Sequence, residues 1–312
     1  MSKISTLKKL LKEDKRQVLV AIYNNIVHTG ITNYLSDETY LKLTYRIRFG
    51  KKLDINNPKT FNEKLQWLKL HDNNTDYITM VDKVLVKDYV AKIIGYDYII
   101  PTLGVWDSFD EIDFEALPNQ FVLKCNHDSG SVVICKDKST FNIDAARKKI
   151  SKGLKTDAFY WGREWPYKYV KRKILAEKYM TDNSNSSQLT DYKVYTFNGR
   201  AKMIMINKDR GVDTKADYFD TDYQCLDFSW GYPHAEVKPQ KPKCFDEMIE
   251  LAEKLAKDTY ELRVDFYEVN GQIYFGELTF FDGSGFDKIE PIEWDYKIGS
   301  WVKLPIGMED IN

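Results

Sequence analysis

A pair of acidic residues inside an otherwise apolar hairpin constrains this chain most strongly. Residues 262–285, LRVDFYEVNGQIYFGELTFFDGSG, are typical of two β-strands joined by an Asn-Gly turn, and Asp265 and Glu277 interrupt the apolar runs. A buried carboxylate without a partner is costly, so we expect cations beside both acids. Carboxylates on paired strands suit Mg²⁺, which prefers oxygen ligands. Alternatively, both acids lie on the solvent face and pair with Arg263 or Lys288.

A second informative stretch is a polar loop between two β-rich runs. In residues 121–136, FVLKCNHDSGSVVICK, the loop extends from Asn126 to Ser131, and Lys124 comes just before it. A loop of small residues can present backbone N–H groups to phosphates while a nearby lysine supplies positive charge. The loop lacks the spacing of a Walker motif, and an ordinary hairpin would carry similar residues. His127 is a candidate acid or base, although loop histidines without that role are commoner.

The composition argues against several broad classes of protein. Apolar residues make up 43% of the 312-residue chain, which is typical of a globular protein with two or three lobes. The 46 Lys and Arg residues nearly balance the 47 Asp and Glu residues, so we expect no general nucleic-acid partner. The four cysteines have no CxxC spacing, which argues against a zinc site or a disulfide framework. No signal peptide or membrane span is recognisable, so a cytoplasmic protein is expected.

The rest of the chain predicts a mixture of helices and strands. Helices are expected over residues 36–50, 61–69, 77–95, 141–158 and 244–260. Strands are expected over residues 96–106, 173–180 and 191–206. Two segments, 159–169 and 207–233, are expected to be largely irregular.

The N-terminal stretch predicts a basic amphipathic helix. Its apolar residues lie near one helical stripe, and five cations lie largely off it: Lys8, Lys9, Lys12, Lys15 and Arg16. Such a helix can lie on an anionic membrane surface, although a helix packed on the protein body is more common. Peripheral contact with the inner face of a membrane is therefore an open expectation.

Several of these signals occur in an order that resembles the ATP-grasp fold, from Asp82 to Gly285. More narrowly, NPKTFNEKLQWLKL, LPNQFVLKCNHDSGS and GELTFFDGSGFDKIEP resemble the TupA-like ATP-grasp proteins of capsule, teichuronopeptide and O-antigen gene clusters. The resemblance implies an α+β fold in which two α+β lobes grip ATP, with an N-terminal helical region. It divides the chain into four regions. These are the N-terminal helical region (1–75), an N-terminal lobe (76–120), a central lobe with the phosphate loop (121–180) and a C-terminal lobe with the metal-binding hairpin (181–312).

The resemblance also implies an ATP site. Lys83 and Lys124 match the two lysines that hold the ATP phosphates, and the flexible loop that closes over them includes Asn126, Ser129, Gly130 and Ser131. The segment between the lobes, whose backbone receives adenine, matches Glu177, Lys178, Tyr179 and Met180. Asp191 falls where the family places an acid for the ribose hydroxyls.

Metal-binding and catalytic roles follow from the same resemblance. Asp265 and Glu277 would bind Mg²⁺, and Thr279 occupies a position where the family has asparagine, so a hydroxyl replaces an amide there. Arg263 would lie near the transferred phosphoryl group and Lys193 near the γ-phosphate. Arg210 is a candidate contact for the substrate carboxylate or its acyl phosphate.

Three functions remain open at this stage. The leading one is an ATP-dependent carboxylate–amine ligase that joins a small-molecule amine to a sugar carboxylate, which is free or linked to a nucleotide, lipid or polymer. The rival is a sugar-nucleotide glycosyltransferase, because Asp220 and Asp222 form a DxD sequence that can bind a metal and a nucleotide diphosphate; an Asp-Thr-Asp turn is the commoner explanation. The third is a non-catalytic assembly component docked by its basic helix.

Overall fold

Helices and antiparallel sheets together form the fold, as expected for the α+β class. The computed structural model describes residues 15–182, 189–208 and 214–306. In that part of the chain, strands form a six-stranded sheet, a four-stranded sheet and a two-stranded ribbon that pairs β9, Ser229–Trp230, with β12, Ile289–Glu290. No described helix is both long enough and apolar enough to cross a membrane.

The six-stranded sheet carries the acidic hairpin. Its antiparallel strands lie in the spatial order β11-β10-β5-β6-β7-β8, with β5 Asp191–Phe197, β6 Arg200–Lys208, β7 Lys215–Phe219, β8 Cys225–Leu226, β10 Glu261–Val269 and β11 Gln272–Thr279. Asn270 and Gly271 both have positive φ, 54° and 82°, as a tight two-residue hairpin turn requires. The expectation of an irregular segment after residue 207 was wrong for β7, which extends this sheet.

Register in this sheet brings the charged residues together. Asp265 lies opposite Glu277 on one neighbouring strand and opposite Lys193 on the other. Directly after Asp265 the pairing shifts by one residue, because Gly276 bulges out of the ladder. A Cβ on Gly276 would lie 3.1 Å from the Asp265 carbonyl oxygen, so the bulge depends on a small residue there.

The four-stranded sheet carries the polar loop. Its order is β1-β4-β2-β3, with β1 Thr102–Trp106, β2 Phe121–Cys125, β3 Val132–Cys135 and β4 Ile174–Lys178. Helix Ile143–Lys155 covers this sheet and contributes Ala146 and Ile150 to its core. The predicted strand–loop–strand is confirmed. β1 belongs to the same sheet as strands beyond residue 120, and the division of the chain into lobes stays a prediction.

The predicted helix start signals hold for two N-terminal helices. Ser36 caps Asp37–Phe49 by accepting the backbone N–H of Thr39, and Gly50 ends that helix with φ 70°. Phe61–His71 begins with a reciprocal capping box between Thr60 and Glu63. The other described α-helices are Lys15–His28, Asp76–Val81, Leu85–Ile94, Phe159–Gly162, Phe245–Leu255 and Ile292–Trp301.

The single helix expected over residues 77–95 was wrong, because it is broken before Leu85. The Asp82 carboxylate accepts the backbone N–H groups of Val84 and Leu85 at 2.8 and 3.3 Å, a local turn that competes with the helix. The N–H of Lys83 instead donates to the Asn126 carbonyl oxygen at 3.1 Å. This break fixes Lys83 beside the polar loop. The strand expected from residue 96 was also partly wrong, since Tyr96–Tyr98 is a 3₁₀ turn.

The aromatic segment 159–169 is not the irregular surface loop that was expected. It forms helix Phe159–Gly162 and a 3₁₀ turn, Trp165–Tyr169, and its Phe159 and Arg163 are buried. Arg163 donates to the Thr32 carbonyl oxygen at 2.8 Å, which attaches the segment to the N-terminal helices. Of the predicted basic face, Lys8, Lys9 and Lys12 lie outside the described residues.

Candidate active site

A cavity of about 1180 Å³ brings the polar loop and the acidic hairpin together. Charged groups from different elements line it in nearly balanced numbers. Among the described residues, the cations are Lys83, Lys149, Lys152, Lys193 and Arg263, and the acids are Asp128, Glu164, Glu277, Asp282 and Asp287. The loop contributes Ser129, Gly130 and Ser131. A concave site with a few convergent charged groups is the usual form of a ligand-binding or catalytic site.

Asp265 is held by two cations. It is only 2% exposed, so the alternative of a solvent-facing acid is wrong for this residue. The Arg263 guanidinium donates to both carboxylate oxygens, Nε to Oδ1 at 2.6 Å and Nη2 to Oδ2 at 2.9 Å. Lys193 forms a second, short ion pair with Oδ2 and also lies 2.9 Å from Asp191. Burying this carboxylate is therefore compensated inside the sheet, as the sequence required.

Glu277 lies at the edge of the cavity and meets a different set of partners. Its Oε1 accepts from Arg263 Nη2 at 3.0 Å, and its Oε2 lies 3.3 Å from Lys83 Nζ. The Thr279 hydroxyl donates to the same Oε1 at 3.3 Å. Arg263 therefore links Asp265 to Glu277, and Lys83 reaches the hairpin from the broken helix.

The balance of charge favours the ionised forms of Glu277 and Lys193, whereas burial raises the pKa of Asp265. Burial acts to raise the pKa of Glu277, but Lys83 and Arg263 outweigh it and hold that pKa well below its ordinary value. Burial acts to lower the pKa of Lys193, but Asp265 outweighs it and raises that pKa above its ordinary value. Glu277 is thus an anion and Lys193 a cation at neutral pH, which is the charge pattern that phosphate and metal ligands need.

The oxygen donors predicted for Mg²⁺ are two carboxylates and a hydroxyl, a chemistry that suits this ion, and their role as metal ligands stays a prediction. Both Asp265 oxygens are engaged by Arg263 and Lys193. Asp265 and Glu277 lie opposite each other in register, and the Thr279 hydroxyl is within hydrogen-bond distance of Glu277. Mg²⁺ is usually held by one or two carboxylates, with waters and substrate phosphates as its other ligands. The part of the chain that the structure describes has no cluster of three or more His, Cys, Asp or Glu side chains suited to a metal. A bound ion would therefore depend on phosphate oxygens as well as on these two carboxylates.

A separate charged cluster lies where β2 and β4 pair. Glu177 forms two ion pairs: its Oε2 lies 2.5 Å from Lys124 Nζ, and its Oε1 lies 2.6 Å from Lys87 Nζ. Burial acts to raise the pKa of Glu177, but the two lysines outweigh it and lower that pKa. The sequence analysis did not identify Lys87 as a site residue. The signal was its position four residues after Lys83, which is the spacing of neighbours on one helix face. Lys83 lines the cavity directly, whereas Lys124 contacts Glu177; the role of Lys124 in holding phosphate stays a prediction.

The polar loop has a fixed base and an open tip. Asn126 is fully buried; its side chain donates to the Lys171 carbonyl oxygen at 2.9 Å and accepts from the Lys173 N–H at 2.8 Å. His127 is also buried, with Nε2 3.0 Å from the Thr156 carbonyl oxygen, and burial lowers its pKa. These two residues anchor the loop. At Gly130, by contrast, an added Cβ would meet no atom within 4 Å.

Other predicted residues lie outside the cavity lining or outside the described chain. The N–H of Lys178 donates to the Pro101 carbonyl oxygen at 3.0 Å, and the adenine-binding role of Lys178, Tyr179 and Met180 stays a prediction. Asp191 is buried beside Lys193, and its ribose role likewise stays a prediction. Arg210 lies outside the described residues.

Sequence reasoning missed an acidic residue on the cavity wall. Asp282 accepts from Arg263 Nη1 at 2.5 Å and from the Tyr195 hydroxyl at 2.5 Å. Arg263 therefore contacts three carboxylates, and Asp282 holds the Nη1 side of its guanidinium. The signal was an aspartate immediately before the glycine turn, close to where the hairpin ends.

The DxD sequence forms a turn. Asp220 accepts the backbone N–H groups of Asp222 and Gln224 at 3.0 and 2.8 Å. Asp220 and Asp222 are not among the described residues that line the cavity. The commoner explanation of this sequence, an Asp-Thr-Asp turn, therefore holds.

The chain was compared with solved structures, with curated proteins and with protein-family models. Solved structures that match this chain include D-alanine–D-alanine ligases from Bacillus anthracis and Helicobacter pylori, at 16% and 15% identity, each with a TM-score of 0.39. The alignments cover 65% and 80% of this chain and 57% and 70% of those ligases. N5-carboxyaminoimidazole synthetase from Staphylococcus aureus matches at 14% identity and a TM-score of 0.37, over 65% of this chain and 44% of its own.

This chain thus spans 57% and 44% of the Bacillus anthracis ligase and the Staphylococcus aureus synthetase. A search of curated proteins gave no match. A family model described as TupA-like ATPgrasp matches residues 63–303, which include the polar loop, the charged cluster and the acidic hairpin. The expected α+β ATP-grasp fold is thereby confirmed, and this chain belongs to the TupA-like ATP-grasp family.

Proposed function

We propose that this protein is an ATP-dependent carboxylate–amine ligase that forms an amide through an acyl phosphate. The observation that carries the proposal is the set of contacts around Arg263. This guanidinium lines the cavity together with Glu277 and Asp282, and it also contacts Asp265, which is buried behind the wall. Lys83 pairs with Glu277, and Lys193 pairs with Asp265. Phosphoryl transfer is chiefly positioning and neutralisation of phosphate charge, and this arrangement supplies fixed charges for both.

In the first step, a carboxylate oxygen of the substrate would attack the γ-phosphorus of ATP. The new O–P bond gives an acyl phosphate, and the bond to the β-phosphate oxygen breaks, so that ADP leaves. Lys83 and Lys193 would neutralise charge on the phosphates, and Arg263 would neutralise charge on the transferred phosphoryl group. Mg²⁺ held by Asp265 and Glu277 would supply further charge stabilisation when bound.

In the second step, an amine would attack the acyl carbon. A C–N bond forms, the C–O bond to phosphate breaks, inorganic phosphate leaves, and the amine nitrogen loses a proton to solvent. Arg263 remains in position to neutralise the departing phosphate. The loop tip around Gly130 lines the same cavity and can approach the phosphates without a side chain in the way.

For the substrates, we propose the carboxylate of a uronic acid or a similar sugar and an amino acid or amino alcohol, in the synthesis of a bacterial surface polysaccharide. The family resemblance motivates this choice. We place the protein in the cytoplasm, with peripheral contact at the membrane through its N-terminal helix. The rival glycosyltransferase function loses its main support, because Asp220 forms a turn.

Calorimetric titration tests nucleotide choice directly. Mg-ATP should bind, and a UDP-sugar should not. Lys83→Met should weaken ATP binding by about tenfold or more, because a charge-assisted contact contributes on the order of 1.5–3 kcal/mol. Lys42→Met is the matched control, since Lys42 is an exposed helix residue paired with Glu38. Binding of the UDP-sugar instead of ATP, or unchanged ATP affinity in Lys83→Met, would contradict the proposal.

A further inference from the structure

Exposed aromatic side chains line the cavity alongside its charged groups. Trp161 and Tyr232 both lie on its wall, and they are 55% and 46% exposed. Trp230 and Tyr218 also reach the wall but are almost completely buried, so they belong to the core. An indole left half-exposed inside a concave site offers a large apolar face to a ligand. The mechanism proposed above gives no role to this face.

The position of Trp161 is fixed from two sides. The Tyr40 hydroxyl donates to its carbonyl oxygen at 2.8 Å, and the ring of His28 lies edge-on to the indole with centroids 4.7 Å apart. His28 also lines the cavity, so the N-terminal helix Lys15–His28 forms part of the wall. Tyr40 and His28, each more than a hundred positions before Trp161 in sequence, therefore hold its backbone and its indole, respectively.

The turn that follows Trp161 is held by buried cations. Arg163 is 2% exposed and has a left-handed backbone, φ 56°, which is strained for a residue other than glycine. Its guanidinium lies 4.6 Å from the centre of the Tyr40 ring. Lys69, also buried, donates to the carbonyl oxygens of Gly162 and Ser284 at 2.7 Å each. The Lys69 contacts join the Trp161 turn to the glycine turn beside Asp282.

We propose that Trp161, with Tyr232, forms a stacking platform for the sugar ring of the carboxylate substrate. The inference rests on the proposed ligase function and names the part of the site that selects a ring. The C–H hydrogens on one face of a pyranose carry partial positive charge, and the face of an indole is negative. Stacking also removes apolar surface from water on both partners. The platform and Arg263 lie on one cavity, so a stacked uronate can direct its carboxylate to the phosphoryl group.

Substitution of Trp161 tests the platform in turnover. ADP release would be measured with Mg-ATP, hydroxylamine as the nucleophile, and either D-glucuronate or the linear dicarboxylate glutarate. Trp161→Ala should raise the KM for D-glucuronate by about tenfold, and Trp161→Phe should restore most of the loss, because a phenyl ring still stacks. The KM for ATP and the KM for glutarate should stay within about twofold of the wild-type values. Tyr34→Ala is the control, since Tyr34 is 91% exposed and is not among the described lining residues.

The outcomes separate the platform from the ligase function. If Trp161→Ala leaves the KM for D-glucuronate unchanged, or raises only the KM for ATP, the platform is wrong while the ligase function stands. If the wild-type protein releases no ADP with any carboxylate, the ligase function fails. A fluorescence titration with D-glucuronate then tests the platform without turnover: quenching in wild type that is absent in Trp161→Phe supports it, and equal quenching in both overturns it.

Discussion

Removing the charge of Glu177 should destabilise the protein, even when the substitution keeps the size of the side chain. Glu177→Gln keeps the size of the side chain but leaves Lys124 and Lys87 facing a neutral amide. Both ammonium groups lie in surroundings that are largely dry, since their side chains are 17% and 11% exposed. An uncompensated buried charge is the costly outcome when one partner of a buried ion pair is removed.

The contacts of the two lysines set the size of the effect. Lys87 also donates to the Ile100 carbonyl oxygen at 2.7 Å and to the Thr102 hydroxyl at 3.0 Å, so it keeps acceptors in the variant. The loss therefore falls chiefly on Lys124. Removing one partner of a buried ion pair lowers the free energy of unfolding by about 3–5 kcal/mol. Because these lysines are partly exposed, we expect a loss of about 3 kcal/mol for Glu177→Gln.

Urea denaturation of wild type, Glu177→Gln and the double variant Glu177→Gln/Lys124→Met measures the effect. The double variant should recover at least half of the loss, because no ammonium remains to be compensated at that position. Glu38→Gln is the matched control; its pair with Lys42 is exposed, so the change should stay below about 0.5 kcal/mol.

The reasoning is refuted if Glu177→Gln unfolds at the same urea concentration as wild type. It is also refuted if Lys124→Met in the Glu177→Gln background destabilises the protein further. Either result would mean that the two ammonium groups remain solvated and that Glu177 does not compensate them.

Three further predictions follow from buried charge. Burial raises the pKa of Glu261 to about 8, so the stability from its protonated form is complete below its unfolded pKa and is lost as pH rises through about 8. Urea denaturation at about pH 6 and about pH 9 should show this loss in wild type and much less in Glu261→Gln. Arg263→Lys should lower kcat by about a hundredfold in an ADP-release assay, because one ammonium cannot contact three carboxylates. Asp265→Asn should abolish Mg²⁺-dependent ADP release, whereas Asp220→Asn should retain it.

The acidic hairpin was predictable because local and global requirements agree there. Alternating apolar residues and an Asn-Gly turn determine the pairing, and the cost of burying Asp265 requires cations beside it. Arg263 was expected near the site from the family resemblance. Its bridge to Asp282 was not, because that contact depends on the path of the chain through the glycine turn.

The broken helix shows what a local pattern cannot decide. Residues around Lys83 are compatible with one continuous helix, and the pattern of apolar residues predicts one. At the break, the local Asp82 turn is joined by a contact with a residue far away in sequence, since the Asn126 carbonyl oxygen accepts the Lys83 N–H. A tertiary contact of this kind overrides helix propensity.

The Trp161 segment was mispredicted for a similar reason. Its mixture of aromatic and charged residues has no clear period, so an irregular surface loop was the natural interpretation. In the structure, Arg163 is buried against Tyr40, which lies far away in sequence. Neither the burial nor the cavity wall can be read from the segment alone.

Trapping the activated carboxylate tests the ligase function most directly. The protein would be incubated with Mg-ATP, D-glucuronate and hydroxylamine, and both ADP and the hydroxamate would be quantified; a parallel reaction would replace ATP with a UDP-sugar. The account predicts equal amounts of ADP and hydroxamate with ATP, their loss in Asp265→Asn, and no UDP release in the parallel reaction. Release of UDP from the sugar nucleotide, with no ATP-dependent hydroxamate, would contradict it.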